Sequence, residues 1–70
     1  MDEILSTGEM IHRLEIGQRA MVVANGYVGG IVYKYISPIT GYTEIRWEGT
    51  ENVLKIGGNI FQAKWKILNE

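Results

Sequence analysis

The sequence predicts a single α+β domain, in which one short helix precedes about five short antiparallel strands. Three observations predict it: a helix-capping pattern near the start, a hydrophobic period that changes from helical to strand-like, and closely spaced turn residues. The 70 residues are 46% hydrophobic with one proline, a composition typical of a folded domain. We expect residues 1–70 to form a bent sheet or small SH3-like barrel with the helix packed on it.

The clearest local pattern is a capping box at the start of the helix. Ser6 and Glu9 have the spacing at which each side chain bonds the other residue's backbone N–H. Leu5 and Met10 match the hydrophobic staple that surrounds such a cap. Apolar residues follow on one helical face, and a glycine then supplies a stop. We therefore expect a helix over about residues 7–15.

Short apolar runs separated by turn residues follow the helix. Asn25-Gly26 predicts a two-residue type I′ hairpin turn, because both residues tolerate positive φ. Gly29-Gly30 indicates a bulge or a close approach of the backbone to another group. Sequential pairing is the simplest topology. The strands are expected at about residues 18–24, 27–36, 42–47, 53–56 and 64–68.

Alternation along the strands assigns the inward side chains. Trp47 shares a strand face with other apolar residues, and Trp65 and Ile67 alternate with Lys64 and Lys66. We expect both tryptophans in the core and both lysines outside.

The residue inventory argues against an enzyme, a cofactor or a metal site. The chain has no cysteine, and His12 is its only histidine, on the predicted helix without a neighbouring nucleophile. Glu44 could pair with Glu48 or Glu51, but such a solvated turn leaves carboxylates near their ordinary pKa. The glycine pairs lack the spacing of a phosphate loop.

Charge and size bound the possible partners. The formal net charge is −1 with acids and bases interspersed, which disfavours extended duplex nucleic acid. Neither a signal peptide nor a membrane-spanning apolar run is evident, so a cytoplasmic location is expected. A chain this short buries a thin core, and self-association is a reasonable way to stabilise it.

One predicted sheet face combines aromatic and basic residues. Tyrosine rings beside ammonium or guanidinium groups can stack a base and hold its phosphate. Ordinary cross-strand pairing on a solvated face would explain the same residues. The candidate ligand-binding residues are Tyr33, Lys34, Tyr35, Tyr42 and Arg46.

The second predicted strand is apolar on both faces. Val28, Val32 and Ile36 share the face opposite the tyrosines. We expect this face to be covered by the helix, by another subunit or by a partner protein, or to be half covered by long side chains.

The two ends of the chain resemble phage anti-defence sponge proteins that sequester cyclic nucleotide signals, in particular the second Thoeris anti-defence family. The resemblance rests on residues 10–17 (MIHRLEIG), 18–21 (QRAM) and 63–67 (AKWKI). These segments look like that family's opening helix, the basic strand after it and its closing tryptophan strand. The resemblance implies a homo-oligomer that traps a cyclic nucleotide between subunits, without hydrolysing it, in an infected bacterial cell.

The leading hypothesis is therefore a non-catalytic binding protein for a nucleotide second messenger. The tyrosines would stack on the ligand, while Lys34 and Arg46 would hold phosphate. One alternative is an adaptor that inhibits a host protein through the apolar face of Val28, Val32 and Ile36. Another is single-stranded nucleic-acid binding through the aromatic face.

Overall fold

A computed structural model describes residues 3–50, 52–55 and 57–68. These residues form one curled half-barrel sheet with two short helices, which confirms the α+β class. No helix among them is long and apolar enough to cross a membrane. In chain order the elements are β1 (Leu5–Ser6), α1 (Thr7–Arg13), β2 (Arg19–Ala24), β3 (Ile31–Ile36), β4 (Thr43–Trp47), α2 (Gly58–Phe61) and β5 (Lys64–Leu68).

Helix α1 begins with the predicted capping box. The Ser6 Oγ accepts the backbone N–H of Glu9 at 3.2 Å, and the Glu9 carboxylate accepts the backbone N–H of Ser6 at 3.2 Å. The helix ends at Arg13, before the predicted residue 15, because Leu14 takes an extended conformation and is buried in the core. Gly17, with φ at +91°, then turns the chain into β2.

The strand order is β1-β5-β2-β3-β4, and every pairing is antiparallel. The prediction of purely sequential pairing is wrong for β5, which lies between β1 and β2. Trp65 pairs with Leu5 on one side and Val22 on the other. A central strand buries a large ring more completely than an edge strand does, and Trp65 is fully buried.

The prediction of an independent strand over residues 53–56 is wrong for the residues that the structure describes there. Val53 forms a single antiparallel bridge with Arg46, and the backbone N–H of Leu54 donates to Ile45 at 2.8 Å. Ile56 lies outside the described residues. The segment therefore covers part of the β4 edge, and β1 supplies the fifth strand.

The turn between β2 and β3 is longer than the predicted two-residue hairpin. Asn25 has φ at +59°, but Gly26 does not take the second positive φ that a type I′ turn requires. Strand β3 therefore begins at Ile31. A Cβ on Gly30 would lie 2.6 Å from the Trp47 ring and 2.7 Å from the Tyr27 ring, which confirms the predicted close approach. The packing of both rings against Gly30 thus leaves no room for a side chain at this position.

The core lies on one side of the sheet, between it and the helices. Both tryptophans face this side, as predicted, with ring centroids 6.0 Å apart. The buried Thr7 connects three elements: it accepts the Trp65 Nε1–H at 2.9 Å and donates to the Ile60 carbonyl. The buried apolar residues are Leu5, Met10, Leu14, Ala20, Val22, Val32, Ala63 and Trp65.

Candidate functional site

The sheet has a second face that no described element covers. Both helices lie on the core side, since Met10 belongs to the buried cluster and Ile60 packs against it. Alternate residues of the strands point away from that side, and each is half-buried. They include Arg19, Met21, Ile31, Tyr33, Tyr35, Glu44, Arg46, Lys66 and Leu68.

Two arginines flank a tyrosine on this face. Arg19 of β2 pairs with Tyr33 of β3, and Tyr33 pairs with Arg46 of β4. Neighbouring strands lie roughly 4.8 Å apart, so the two arginine backbones are about 10 Å apart with the tyrosine between them. Arg19, Tyr33, Tyr35 and Arg46 are called the aromatic–basic face below.

The Arg46 guanidinium lies on the ring of Tyr35. Its Cζ is 4.7 Å from the ring centroid, a distance that gives a cation–π attraction. Within the described residues no carboxylate pairs with this guanidinium, and its buried Nε has no hydrogen-bond partner. An unmet buried donor is destabilising. Arg46 therefore lies against the Tyr35 ring, and its charge has no carboxylate partner among the described residues.

The Tyr35 ring is held in place from its other end. Its hydroxyl donates to Glu44 Oε1 at 2.6 Å. This hydrogen bond, and secondarily burial, raises the pKa of Tyr35 above its ordinary value. The Tyr33 ring lies beside it, with centroids 5.6 Å apart and planes tilted by 42°. Glu44 thus orients the ring against which Arg46 lies.

The sequence analysis did not assign Arg19 to the aromatic–basic face, nor did it place Lys66 on the same side of the sheet. Arg19 also pairs with Glu48 at 3.1 Å, which partly neutralises it. Lys66 lies opposite Met21 on the neighbouring strand β5. The parity of each strand was visible in the sequence, but the placement of β5 beside β2 was not.

The structure separates two predicted ligand residues from the others. Lys34 pairs with Ile45 on the opposite face, and its Nζ donates to the Ile11 carbonyl of α1 at 3.0 Å. The predicted grouping of Lys34 with the tyrosines is wrong, because consecutive residues of a strand point to opposite faces. Tyr42 is 75% exposed in the loop before β4. Tyr33, Tyr35 and Arg46 come together as expected.

The predicted interface of Val28, Val32 and Ile36 is not one surface. Val32 is fully buried in the core, so its assignment to an exposed interface is wrong. Val28 is 64% exposed in the loop before β3, and Ile36 is 53% exposed at the far end of that strand. The core residue between them interrupts any continuous apolar patch.

The titratable residues considered for catalysis lie apart or are already engaged. His12 is exposed on α1, Glu44 accepts from Tyr35, and Glu48 pairs with Arg19. Glu51 lies outside the described residues. Among the described residues no three His, Asp or Glu side chains are grouped as metal ligands. The chemistry that the aromatic–basic face offers is stacking and anion binding.

Comparisons with protein-family models, curated proteins and solved structures found no match to this chain.

Proposed function

We propose that this protein is a non-catalytic binding domain that sequesters a nucleotide on its aromatic–basic face. In its specific form the proposal is a phage-type anti-defence protein that holds a cyclic nucleotide immune signal between subunits. The resemblance of the chain ends to the sponge family motivates the specific form. The sheet geometry supports the general one.

A single observation carries the proposal: the Arg46 guanidinium lies 4.7 Å from the Tyr35 ring centroid without a carboxylate partner in the described part of the chain. A guanidinium that lies over a ring can still form paired hydrogen bonds to phosphate. Tyr33, between two arginines, offers a ring for base stacking. Arg46 is the residue proposed to hold phosphate, because Arg19 pairs with Glu48 at 3.1 Å.

An open face needs a second surface to enclose a small ligand. Small-molecule sites commonly bury about 70–90% of a ligand. The half-buried residues of the aromatic–basic face form one wall only. A second copy of the chain would supply the opposite wall, and the site would then lie between subunits.

Calorimetric titration against cyclic dinucleotides, cyclic trinucleotides and cyclic ADP-ribose isomers tests the proposal. We expect saturable heat with one member of the panel, recovery of that ligand chemically unchanged, and a native mass above that of one chain. The absence of heat with every member would refute nucleotide sequestration. A ligand-bound monomer would refute only the intersubunit form.

Arg46→Met is the diagnostic variant, because it keeps much of the side-chain length and removes the guanidinium. We expect it to weaken ligand binding at least about tenfold, as the loss of a charge-assisted hydrogen bond does. Arg13→Met is the matched control. Arg13 lies on α1 and pairs with Glu3 at 2.6 Å, away from the aromatic–basic face.

Single-stranded nucleic acid is the second candidate, favoured by the row of Arg19, Tyr33 and Arg46 across adjacent strands. A labelled oligonucleotide would then bind with an affinity that falls steeply as salt rises, because counterions are released. A cyclic dinucleotide that competes at equimolar concentration would instead favour the first proposal.

A further inference from the structure

A separate cavity of about 400 Å³ lies where β3 begins and β4 ends. This volume is within the range of small-molecule sites. Two aromatic rings, one carboxylate and several small polar groups surround it. Its lining residues are Tyr27, Gly30, Ile31, Trp47, Glu48, Thr50 and Asn52.

Two rings meet nearly at a right angle beside this cavity. The planes of Tyr27 and Trp47 are 86° apart, with centroids 6.1 Å from each other. Trp47 is backed by the buried Trp65 ring, whereas Tyr27 is 74% exposed. One wall is therefore fixed by the core, and the other is an aromatic side chain that contributes little to the core. Such an exposed ring held against a second ring is available to a ligand.

Gly30 permits this arrangement. A Cβ at this position would lie 2.6 Å from Trp47 Cζ3 and 2.7 Å from Tyr27 Cδ2. Both distances are shorter than van der Waals contact, so any larger residue would displace at least one ring. The absence of a side chain at Gly30 thus sets the angle between the two walls.

The charge of the lining selects the sign of the ligand. Glu48 is its only charged side chain, and none of its described members is Lys or Arg. The faces of aromatic rings are electronegative and attract cations. Because Arg19 offsets the charge of Glu48, the ring faces rather than the carboxylate favour a cation here. The cavity therefore differs in kind from the aromatic–basic face.

We propose that this aromatic cleft, formed by Tyr27, Trp47 and Glu48, binds a methylated ammonium group. A primary ammonium would lose its hydrogen bonds to water, and the one carboxylate nearby is already paired with Arg19 at 3.1 Å. A quaternary ammonium needs no hydrogen-bond acceptor and gains contact with both rings. The group could belong to a free small molecule or to a trimethylated lysine of another protein. This proposal does not rest on nucleotide binding, and the two sites meet at the pair of Arg19 and Glu48.

Titration of the full chain with choline and with a trimethyllysine peptide tests the proposal, followed by tryptophan fluorescence and calorimetry. Binding of choline alone would indicate a free small molecule, and binding of the peptide alone a protein side chain. The neutral isostere 3,3-dimethylbutanol and the unmodified lysine peptide should each bind at least about tenfold more weakly, because they lack charge or methyl groups. Binding of neither probe, or equal binding of choline and its neutral isostere, would overturn the proposal.

Variants at the walls localise the effect. Tyr27→Leu should weaken binding at least about tenfold, whereas Tyr27→Phe keeps the ring and should bind within about twofold of the parent. Gly30→Ala should also weaken binding by displacing a ring. Phe61→Leu, which changes a 73% exposed ring of α2 outside the cleft lining, should leave it unchanged, and near-UV circular dichroism checks that each variant is folded. Unchanged affinity in Tyr27→Leu would overturn the assignment.

Discussion

Val32 and Tyr33 are consecutive residues of β3, yet they serve different faces of the sheet. Val32 is completely buried and belongs to the core cluster. Tyr33 is half-buried on a face that no described element covers. On the core face a buried polar group has its partner within the chain, since the Trp65 Nε1–H donates to the Thr7 hydroxyl. The other face has a guanidinium without a carboxylate partner among the described residues, which favours our proposal that the core face stabilises the fold and the other face binds a ligand.

The largest effect expected from a core-face change is that of Trp65→Ala. Trp65 is fully buried and pairs with both neighbouring strands. Removing such a ring leaves a cavity and should lower the free energy of unfolding by about 3–5 kcal/mol. Urea denaturation followed by circular dichroism measures the loss. Tyr42→Ala is the control, since that side chain is 75% exposed and its loss should cost within about 0.5 kcal/mol. Equal losses would contradict the central place of Trp65 in the core.

Thr7→Val tests the polar connection inside the core. The change preserves shape but leaves the buried Trp65 Nε1–H without its acceptor. We expect a loss of about 1–3 kcal/mol in the free energy of unfolding. Thr43→Val, at an exposed position of β4, should change stability little. If both variants unfold at the same urea concentration, the Thr7 hydroxyl does not hold the elements together.

Ser6→Ala removes the N-cap of α1 and should cost about 0.5–2 kcal/mol. The cap also predicts that the free energy of unfolding depends on pH. Hydrogen bonds from the backbone and side chain of Ser6 lower the pKa of Glu9 below its ordinary value of 4.5. Its contribution to stability is therefore present above pH 4.5 and is lost as the pH falls through the lowered pKa. Thermal unfolding of the parent and Glu9→Gln should converge in acid, and a constant gap would contradict the assignment.

Arg46→Met should separate the two faces most clearly, because it alters binding with little change in stability. The Nε of Arg46 is buried without a partner, so its removal relieves a desolvation cost while losing the contact with Tyr35. These effects oppose each other, and we expect the free energy of unfolding to change by less than about 1 kcal/mol. Denaturation and ligand titration of the same sample measure both. A large loss of stability would place Arg46 among the structural residues.

Tyr35→Phe is expected to have the smallest effect on the fold. The raised pKa of Tyr35 means that its neutral form is favoured by folding, so its contribution is present below pH 10 and is lost as the pH rises through the raised pKa. Ultraviolet absorbance of the phenolate should show a tyrosine step above the ordinary pKa of 10.0. Tyr35→Phe should remove that late step, and Glu44→Gln should shift it toward the ordinary pKa.

Local chemistry explains which parts of the fold were predictable. The capping box of Ser6 and Glu9 and the inward parity of Trp65 depend on near neighbours, and both predictions are confirmed. The predicted two-residue hairpin at Asn25 is wrong, since Gly26 lacks positive φ, and the same loop packs against Trp47, a ring distant in the chain. The position of β5 also depends on residues far apart in the chain, so the sequence pattern favoured the simpler sequential order.

The composition of the candidate site was also predictable only in part. Tyr33, Tyr35 and Arg46 were grouped correctly, since alternation within β3 and β4 and the pairing of successive strands suffice to bring them together. Lys34 was wrongly grouped with these residues, because consecutive residues of a strand point to opposite faces of the sheet. Arg19 was not assigned, because its place beside Tyr33 requires the register between β2 and β3.

The position of β5 also constrains how the chain reaches its native state. Strand β1 has no neighbouring strand until residues 64–68 are in place, because Leu5 pairs with Trp65. During synthesis from the amino end, the half-barrel cannot close until that segment has emerged, and the apolar surface of β2 remains open on one side until then. Closure of the sheet should consequently require β5. Cleavage before Lys64 should destabilise the whole sheet, because β5 pairs with both β1 and β2.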